Sequence, residues 1–309
     1  MFDFTNVLTK EEIVLFSLRS LYTDYGFTKF SMSKFEEYDL YAKNKDFLVS
    51  ENVITFTDTN GKLLALKPDV TLSIIKNSKD IDGVLKVFYN ENVYRVSKNN
   101  NSFKEIMQAG LECLGNLTNQ DIATVLELAY KSLEIISPEY VLEVSDLDVV
   151  LGVLDAFNLD YHAKKGILTC LGEKNLGGVK DICVNFGLSD DAISVITGLV
   201  SVYGAPDKVL SKLDAFAVNA NVKKAIDDFK DIITKLTAKN VKDNLIIDFS
   251  VINDMNYYNG IAFKGFVEGI PTGILSGGQY GNLMAKMGKK AKAIGFAVYL
   301  DELIGKKVD

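Results

Sequence analysis

The residues with the most chemical potential in this 309-residue chain lie in the run Gln108-Ala109-Gly110-Leu111-Glu112-Cys113. On a strand, alternate side chains share a face, so Gln108, Gly110 and Glu112 line one side and Ala109, Leu111 and Cys113 the other. The first side could receive a small polar ligand. Gly110 leaves room for approach, and Glu112 offers a carboxylate to a cationic or N–H donor group. The stretch Leu66-Lys67-Pro68-Asp69-Val70-Thr71 holds a second carboxylate. Asp69 either caps a following helix or points back over the sheet, where with Glu112 it would suit an ammonium or an imidazole N–H. The paired tyrosines of Asn256-Tyr257-Tyr258-Asn259-Gly260 supply flat apolar walls with hydroxyls, or else plain packing at a strand edge. Ser276-Gly277-Gly278-Gln279-Tyr280-Gly281 is glycine-rich but lacks the Lys-Ser/Thr of a phosphate-binding loop, and is expected as a tight turn at a pocket rim.

These residues need elements to hold them. Thr9 with Glu12 three positions on forms a capping-box pattern, and Ile13, Phe16, Leu18, Leu21 and Tyr22 follow at roughly helical spacing until Gly26. Strands are expected at 53–56, 63–66 and 84–89, with Asn60-Gly61 as a hairpin turn between the first two. A helix is expected from Val70 to Lys76, a strand at 106–115, an amphipathic helix at 119–136 and a strand at 140–144. From about 147 to 240 strand-like alternation gives way to short helical segments. Strands resume at 245–249, 260–267 and 272–275, and 292–304 is expected to close the chain as a helix. This order is not the strict strand–helix alternation of a doubly wound fold. It predicts an α+β architecture, a largely antiparallel sheet with helices packed on one face. Residues 1–145 and 241–309 would form a discontinuous sheet domain around a helical insertion, 146–240.

Composition narrows the function. No apolar run approaches the roughly 18–20 residues that span a bilayer, and no basic-then-apolar leader opens the chain, so a cytoplasmic protein without membrane partners is expected. The three cysteines form no C-x-x-C pair and sit in apolar stretches, which points to buried thiols rather than a metal or redox centre. His162 is the single histidine, which excludes most transition-metal sites. A net charge of −7 and a pI near 5.0 disfavour a nucleic-acid surface. Arg19 and Arg95 are the only arginines. Lysine does not reproduce the bidentate guanidinium fork, so the chain has little with which to orient a triphosphate. Neither a metal nor a cofactor is expected.

Taken in order, the motifs resemble the catalytic domain of class II aminoacyl-tRNA synthetases of the histidyl type. Phe56-Thr57-Asp58 and Leu66-Lys67-Pro68-Asp69-Val70-Thr71 resemble its T-F-x-D and L-R-P-E-x-T elements. Asn92-Val93-Tyr94-Arg95 resembles motif 2, and Gln108-Ala109-Gly110-Leu111-Glu112 the Q-x-G-x-E that follows. Tyr257-Tyr258-Asn259-Gly260 resembles D-Y-Y-T-G, Gly277-Gly278-Gln279-Tyr280 resembles G-G-R-Y, and Gly295-Phe296-Ala297-Val298 the motif 3 helix. The resemblance runs from about residue 8 to 304 and implies a class II synthetase-like fold.

The departures from the family pattern bear on activity. Where the family places cations for adenylate formation, this chain has Glu302, Asn253 and Gln279. If each resembles the loss of a preorganised donor, each would remove roughly 3–4 kcal/mol of transition-state stabilisation. The family's anticodon-binding domain would follow motif 3, where this sequence stops. The resemblance therefore implies loss of adenylation and tRNA charging. Counterparts of the family's histidine-contacting residues remain at Asp69, Thr71, Arg95, Gln108, Glu112, Tyr257 and Tyr258. A kept amino-acid pocket beside a dismantled nucleotide site is similar to the regulatory subunits of ATP phosphoribosyltransferase. By that resemblance the chain would be non-catalytic and would bind L-histidine. It would form a homodimer within a larger hetero-oligomer holding the short-form catalytic subunit, and give feedback on the first step of histidine biosynthesis. The alternative is a truncated histidyl-tRNA synthetase or an amino-acid-adenylating paralogue.

Overall fold

Thr9 and Glu12 close the reciprocal cap that their spacing predicts. The Glu12 N–H donates to the Thr9 hydroxyl at 3.3 Å and the Thr9 N–H to the Glu12 carboxylate at 2.8 Å, opening helix α1 (Lys10–Asp24). The computed structural model describes residues 7–48, 52–78, 83–96, 102–252 and 257–304. After α1 come β1 (Thr28–Lys29), β2 (Phe35–Glu37) and α2 (Tyr38–Ala42). The expected hairpin joins β3 (Thr55–Thr57) to β4 (Leu63–Leu66). Gly61 takes a φ of 81° there, and the Asp58 carboxylate accepts from the Asn60 and Lys62 N–H groups, both at 2.8 Å. Helix α3 (Thr71–Asn77) follows, close to its expected span.

Strands β5 (Val84–Val96) and β6 (Phe103–Gly115) run antiparallel as one long hairpin, each extending beyond the stretch its apolar pattern marks. Helix α4 (Asn119–Ile136) matches its predicted limits and leads to β7 (Tyr140–Asp146). Helices α5 (Leu147–Ala156), α6 (Tyr161–Gly172), α7 (Leu176–Asn185) and α8 (Asp190–Val200) come next. A two-residue strand, β8 (Tyr203–Gly204), precedes α9 (Pro206–Leu210) and α10 (Ala220–Thr237). The chain then returns to the sheet with β9 (Leu245–Asp248), β10 (Ile261–Val267) and β11 (Ile270–Gln279), followed by α11 (Gly281–Lys286), β12 (Lys292–Tyr299) and α12 (Asp301–Ile304).

The main sheet has the order β1-β5-β6-β12-β11-β10-β7-β9-β8, and β2-β4-β3 form a small second sheet. Pairing is antiparallel except for β1 with β5 and β7 with β9. The fold is α+β, as expected.

Three expectations are corrected, two of them in strands β11 and β12 and the third in the helices that cover the sheet. Residues 292–299 form a central strand, not a helix, and only one short helical turn follows. Ile294, Phe296 and Val298 enter the helix-covered core while Gly295, Ala297 and Tyr299 face the other way. A period of two, masked by the continuous apolar character of Ala-Ile-Gly-Phe-Ala-Val, decides the element. The glycine-rich run from Ser276 to Gln279 is likewise the end of β11 rather than a turn.

Helices also cover both faces of the sheet. On one face α1 and α4 pack over Ala109, Leu111 and Cys113, and buried residues of α5–α10 join the same cluster. On the other, α2, α3, α11 and the small sheet enclose a second cluster containing Leu72, Ile75, Leu283, Tyr257 and Tyr280. The reason lies in β5, which presents Phe88 to the first cluster and Val87 and Tyr89 to the second, so neither face can be left to water.

Candidate binding pocket

Asp69, Thr71, Arg95, Gln108, Glu112, Tyr257 and Tyr258, brought from four separate stretches of sequence, line one cavity of about 70 Å3. That is several times the roughly 10–15 Å3 needed to lodge one water. Its floor is the sheet face opposite α1 and α4. Gln108 and Glu112 point into it from β6, and their neighbours Ala109, Leu111 and Cys113 point into the helix-covered core, as strand alternation requires.

Glu112 sits at the closed end and is 2% exposed. Its Oε1 accepts from the Thr71 hydroxyl at 2.7 Å and its Oε2 from the Tyr280 hydroxyl at 2.5 Å. Among the described residues no cation pairs with it. Burial, reinforced by the charge of Asp69 and only partly offset by the two hydroxyls, pushes its carboxyl up to about 8. Two oxygens held by neutral donors, with no counter-charge, suit a ligand bearing an N–H group or a positive charge. Gly295 makes the position possible: a Cβ there would lie 1.8 Å from Glu112 Oε2.

Asp69 does both things foreseen for it. Its Oδ1 accepts from the Leu72 N–H at 3.0 Å in the first turn of α3, while the side chain also lines the cavity. Burial raises its carboxyl, against the opposing pull of that N–H group, Arg95 and Lys67. Lys67 is wholly buried and ion-paired to Glu91 at 2.9 Å, and its carbonyl accepts from the Tyr94 N–H at 2.9 Å. This ties the 67–70 segment to β5. Arg95 donates from Nε to the Pro68 carbonyl at 3.1 Å, leaving the rest of its guanidinium at the cavity's edge. The Tyr257 and Tyr258 rings lie 4.7 Å apart, with Tyr280 6.0 Å and Phe47 6.4 Å from Tyr257. Together they form an aromatic wall.

Phe47, Tyr89, Ser276, Tyr280 and Tyr299 also line the cavity and were not foreseen. Tyr280 carried a signal: read as strand, Ser276, Gly278 and Tyr280 share one face. Gly110 is corrected. A Cβ at this position would meet the Tyr89 hydroxyl at 2.5 Å, so the space it leaves houses that ring rather than a ligand.

Strand register orders the cavity. Gly295 of β12 pairs with Glu112, Ala297 with Gly110 and Tyr299 with Gln108. Glu112 and Gln108, four residues apart on β6, therefore mark ends roughly 13 Å apart along the strand. Beyond the Gln108 end lies a wider depression of about 520 Å3, lined by Arg95 and Lys104 but also by Glu105, Asp301 and Glu302. Its three carboxylates against two cations make a poor host for a polyphosphate.

A family model described as histidyl-tRNA synthetase matches residues 7–303. The chain belongs to that family. A relative from Clostridium kluyveri, named ATP phosphoribosyltransferase regulatory subunit, is 29% identical over 295 residues, covering 93% of this chain and 75% of that protein. A Bacillus halodurans structure described as an ATP phosphoribosyltransferase regulatory subunit/histidyl-tRNA synthetase superposes with a TM-score of 0.82 at 21% identity, over 98% of this chain and 81% of that one. A chain of the ATP phosphoribosyl transferase (HisG:HisZ) complex from Thermotoga maritima gives 0.72 at 18% identity, over 97% of both. These likenesses place the fold in the class II synthetase group. Within the histidyl-tRNA synthetase pattern, Gln279 is engaged locally, its Oε1 accepting from the Ile261 N–H at 2.8 Å. Glu302 stands exposed at the depression, 3.5 Å from the Thr272 hydroxyl. Asn253 lies outside the described residues.

Proposed function

We propose that this chain is a non-catalytic regulatory subunit of an ATP phosphoribosyltransferase. It acts with a separate short-form catalytic subunit on the first step of histidine biosynthesis in the cytoplasm, and senses L-histidine for feedback control. The observation that carries the reading is the contrast between two adjoining spaces: an enclosed pocket of about 70 Å3 lined by all seven expected residues, and a depression edged by Glu105, Asp301 and Glu302. The relative's name, regulatory subunit, supports the role, and the Thermotoga complex supports a separate catalytic partner.

In this reading Glu112 accepts the imidazole N–H at the closed end. Thr71 spends its proton on Glu112 and so presents lone pairs, with Asp69, to the α-ammonium. Tyr257 and Tyr258 wall the ring, and Arg95 and Gln108 take the α-carboxylate. Residues 146–240 act as a helical insertion in the synthetase-like unit, and the subunit works as a homodimer within the hetero-oligomer. Feedback requires histidine to bind one state of that assembly better than another. Titration calorimetry with L-histidine, run beside histidine-dependent ATP–pyrophosphate exchange, tests the reading. Binding without exchange is expected. Exchange above background would instead establish an adenylating synthetase paralogue, and no binding to the free chain or the complex would leave a ligand-free scaffold.

A further inference from the structure

Two side chains, Arg95 and Tyr299, border both the pocket and the neighbouring depression. Their place follows from sequence order. On β12, the positions facing the pocket are Gly295, Ala297 and Tyr299. The first two leave the floor open, whereas the third raises a full phenol ring opposite Gln108, where the floor ends. The next residues of the same segment, Asp301 and Glu302, already belong to the depression, as do Lys104 and Glu105 beyond Gln108 on β6. The ring is held upright from β11: the Tyr299 and Ser276 hydroxyls lie 2.8 Å apart. On β11 too the partition falls at this level, with Ser276 in the pocket and Thr272 and Gly273 in the depression.

We propose that Tyr299, braced by Ser276, is a specificity partition that closes the carboxylate end of the pocket, so that the site accepts a free α-amino acid and rejects any amino acid extended through its carboxyl carbon. The proposal rests on the histidine reading of the site and adds which derivatives of that ligand are refused. A free carboxylate ends against Gln108 and Arg95. An ester, anilide or acyl-phosphate conjugate must continue through the space that the Tyr299 ring fills. The partition thereby separates amino-acid recognition from the depression without any change at the Glu112 end.

Calorimetry with three ligands tests this on the 309-residue chain: L-histidine, L-histidinamide and L-histidine β-naphthylamide. Histidinamide removes the carboxylate charge with almost no added bulk, and the naphthylamide removes the same charge and extends the chain. The unaltered protein is expected to bind the naphthylamide at least about tenfold more weakly than histidinamide. Tyr299→Gly should reduce that ratio to near one while leaving the histidine-to-histidinamide ratio unchanged, and Tyr299→Phe, which keeps the ring, should retain the exclusion. A ring with only a structural role would weaken all three ligands together on removal, which contradicts the proposal. Equal binding of naphthylamide and histidinamide by the unaltered protein overturns the partition alone, and decides the matter even if Tyr299→Gly does not fold. Absence of binding by all three ligands overturns the histidine reading and the partition with it.

Discussion

Replacing Glu112 by glutamine keeps the shape of the pocket floor and removes its charge. An amide oxygen can still accept from Thr71, and the Tyr280 hydroxyl can turn to accept from the amide N–H. In the folded chain, burial without a cation lifts the Glu112 carboxyl from its ordinary 4.5 to about 8. The folded state therefore holds a proton that the unfolded state has released, and stability contributed by Glu112 falls as pH rises through the window from 4.5 to 8. The group is 2% exposed, so water screens it little. The loss is under about 1 kcal/mol at pH 5, about 3 kcal/mol at pH 7, and levels at a ceiling of about 5 kcal/mol above pH 8. Glu112→Gln carries no such penalty. Urea unfolding of both proteins at pH 5, 7 and 9, without histidine, should show the variant ahead by a margin that widens with pH. Asp146 and other raised carboxyls away from the pocket are common to both proteins and drop out of the difference, whereas Asp69, coupled to Glu112 by charge, titrates more easily in the variant and widens the margin. The same variant should bind histidine about 10- to 100-fold more weakly, because the bound ligand's N–H group or positive charge favours the ionised Glu112 carboxylate and an amide cannot supply that charge. A margin that stays constant or narrows as pH rises would refute the view that Glu112 is an uncompensated buried acid kept for a ligand.

Gly295→Ala places a Cβ 1.8 Å from Glu112 Oε2 and 2.5 Å from the Leu111 carbonyl, so it should cost about 1–3 kcal/mol in a urea melt and abolish histidine binding by calorimetry. Asp146 is 5% exposed and caps α5 by accepting from the Asp148 and Val149 N–H groups, while burial and the Asp148 charge push its carboxyl up to about 7. Asp146→Asn keeps the cap, and should gain over the natural chain by up to about 4 kcal/mol as pH rises from 4 to 7 in paired thermal or urea melts. Lys67→Met strands Glu91 beside the pocket and should cost about 3 kcal/mol, with much of that recovered in the double variant Lys67→Met/Glu91→Leu; a double-mutant cycle reads the coupling.

The floor of the pocket was legible because it depends on one local rule. Gln108 and Glu112 share a face in any strand, and the Thr9–Glu12 capping box, the Asn60-Gly61 turn and α4 were equally local. Family resemblance then gathered Asp69, Arg95 and the tyrosine pair onto that face, which spacing alone could not do. The aromatic and hydroxyl roof was hidden for the opposite reason. Tyr280 meets Glu112 across 168 residues of sequence, and Tyr89 reaches the floor only because Gly110 pairs with it across the hairpin. β12 was misread because a continuous apolar run fits a helix or a buried strand equally well. That misreading concealed Tyr299, whose direction toward the pocket exists only in a period of two.

The proposed role requires the pocket to report histidine to a partner enzyme. The most direct test combines this chain with a short-form ATP phosphoribosyltransferase catalytic subunit and measures phosphoribosyl transfer with and without L-histidine. Histidine should inhibit the complex containing the natural chain, and inhibition should require about 10- to 100-fold more histidine when the chain carries Glu112→Gln, the factor expected for a lost charged hydrogen bond. Inhibition at the same histidine concentration in both complexes, or no inhibition in either, would contradict the account.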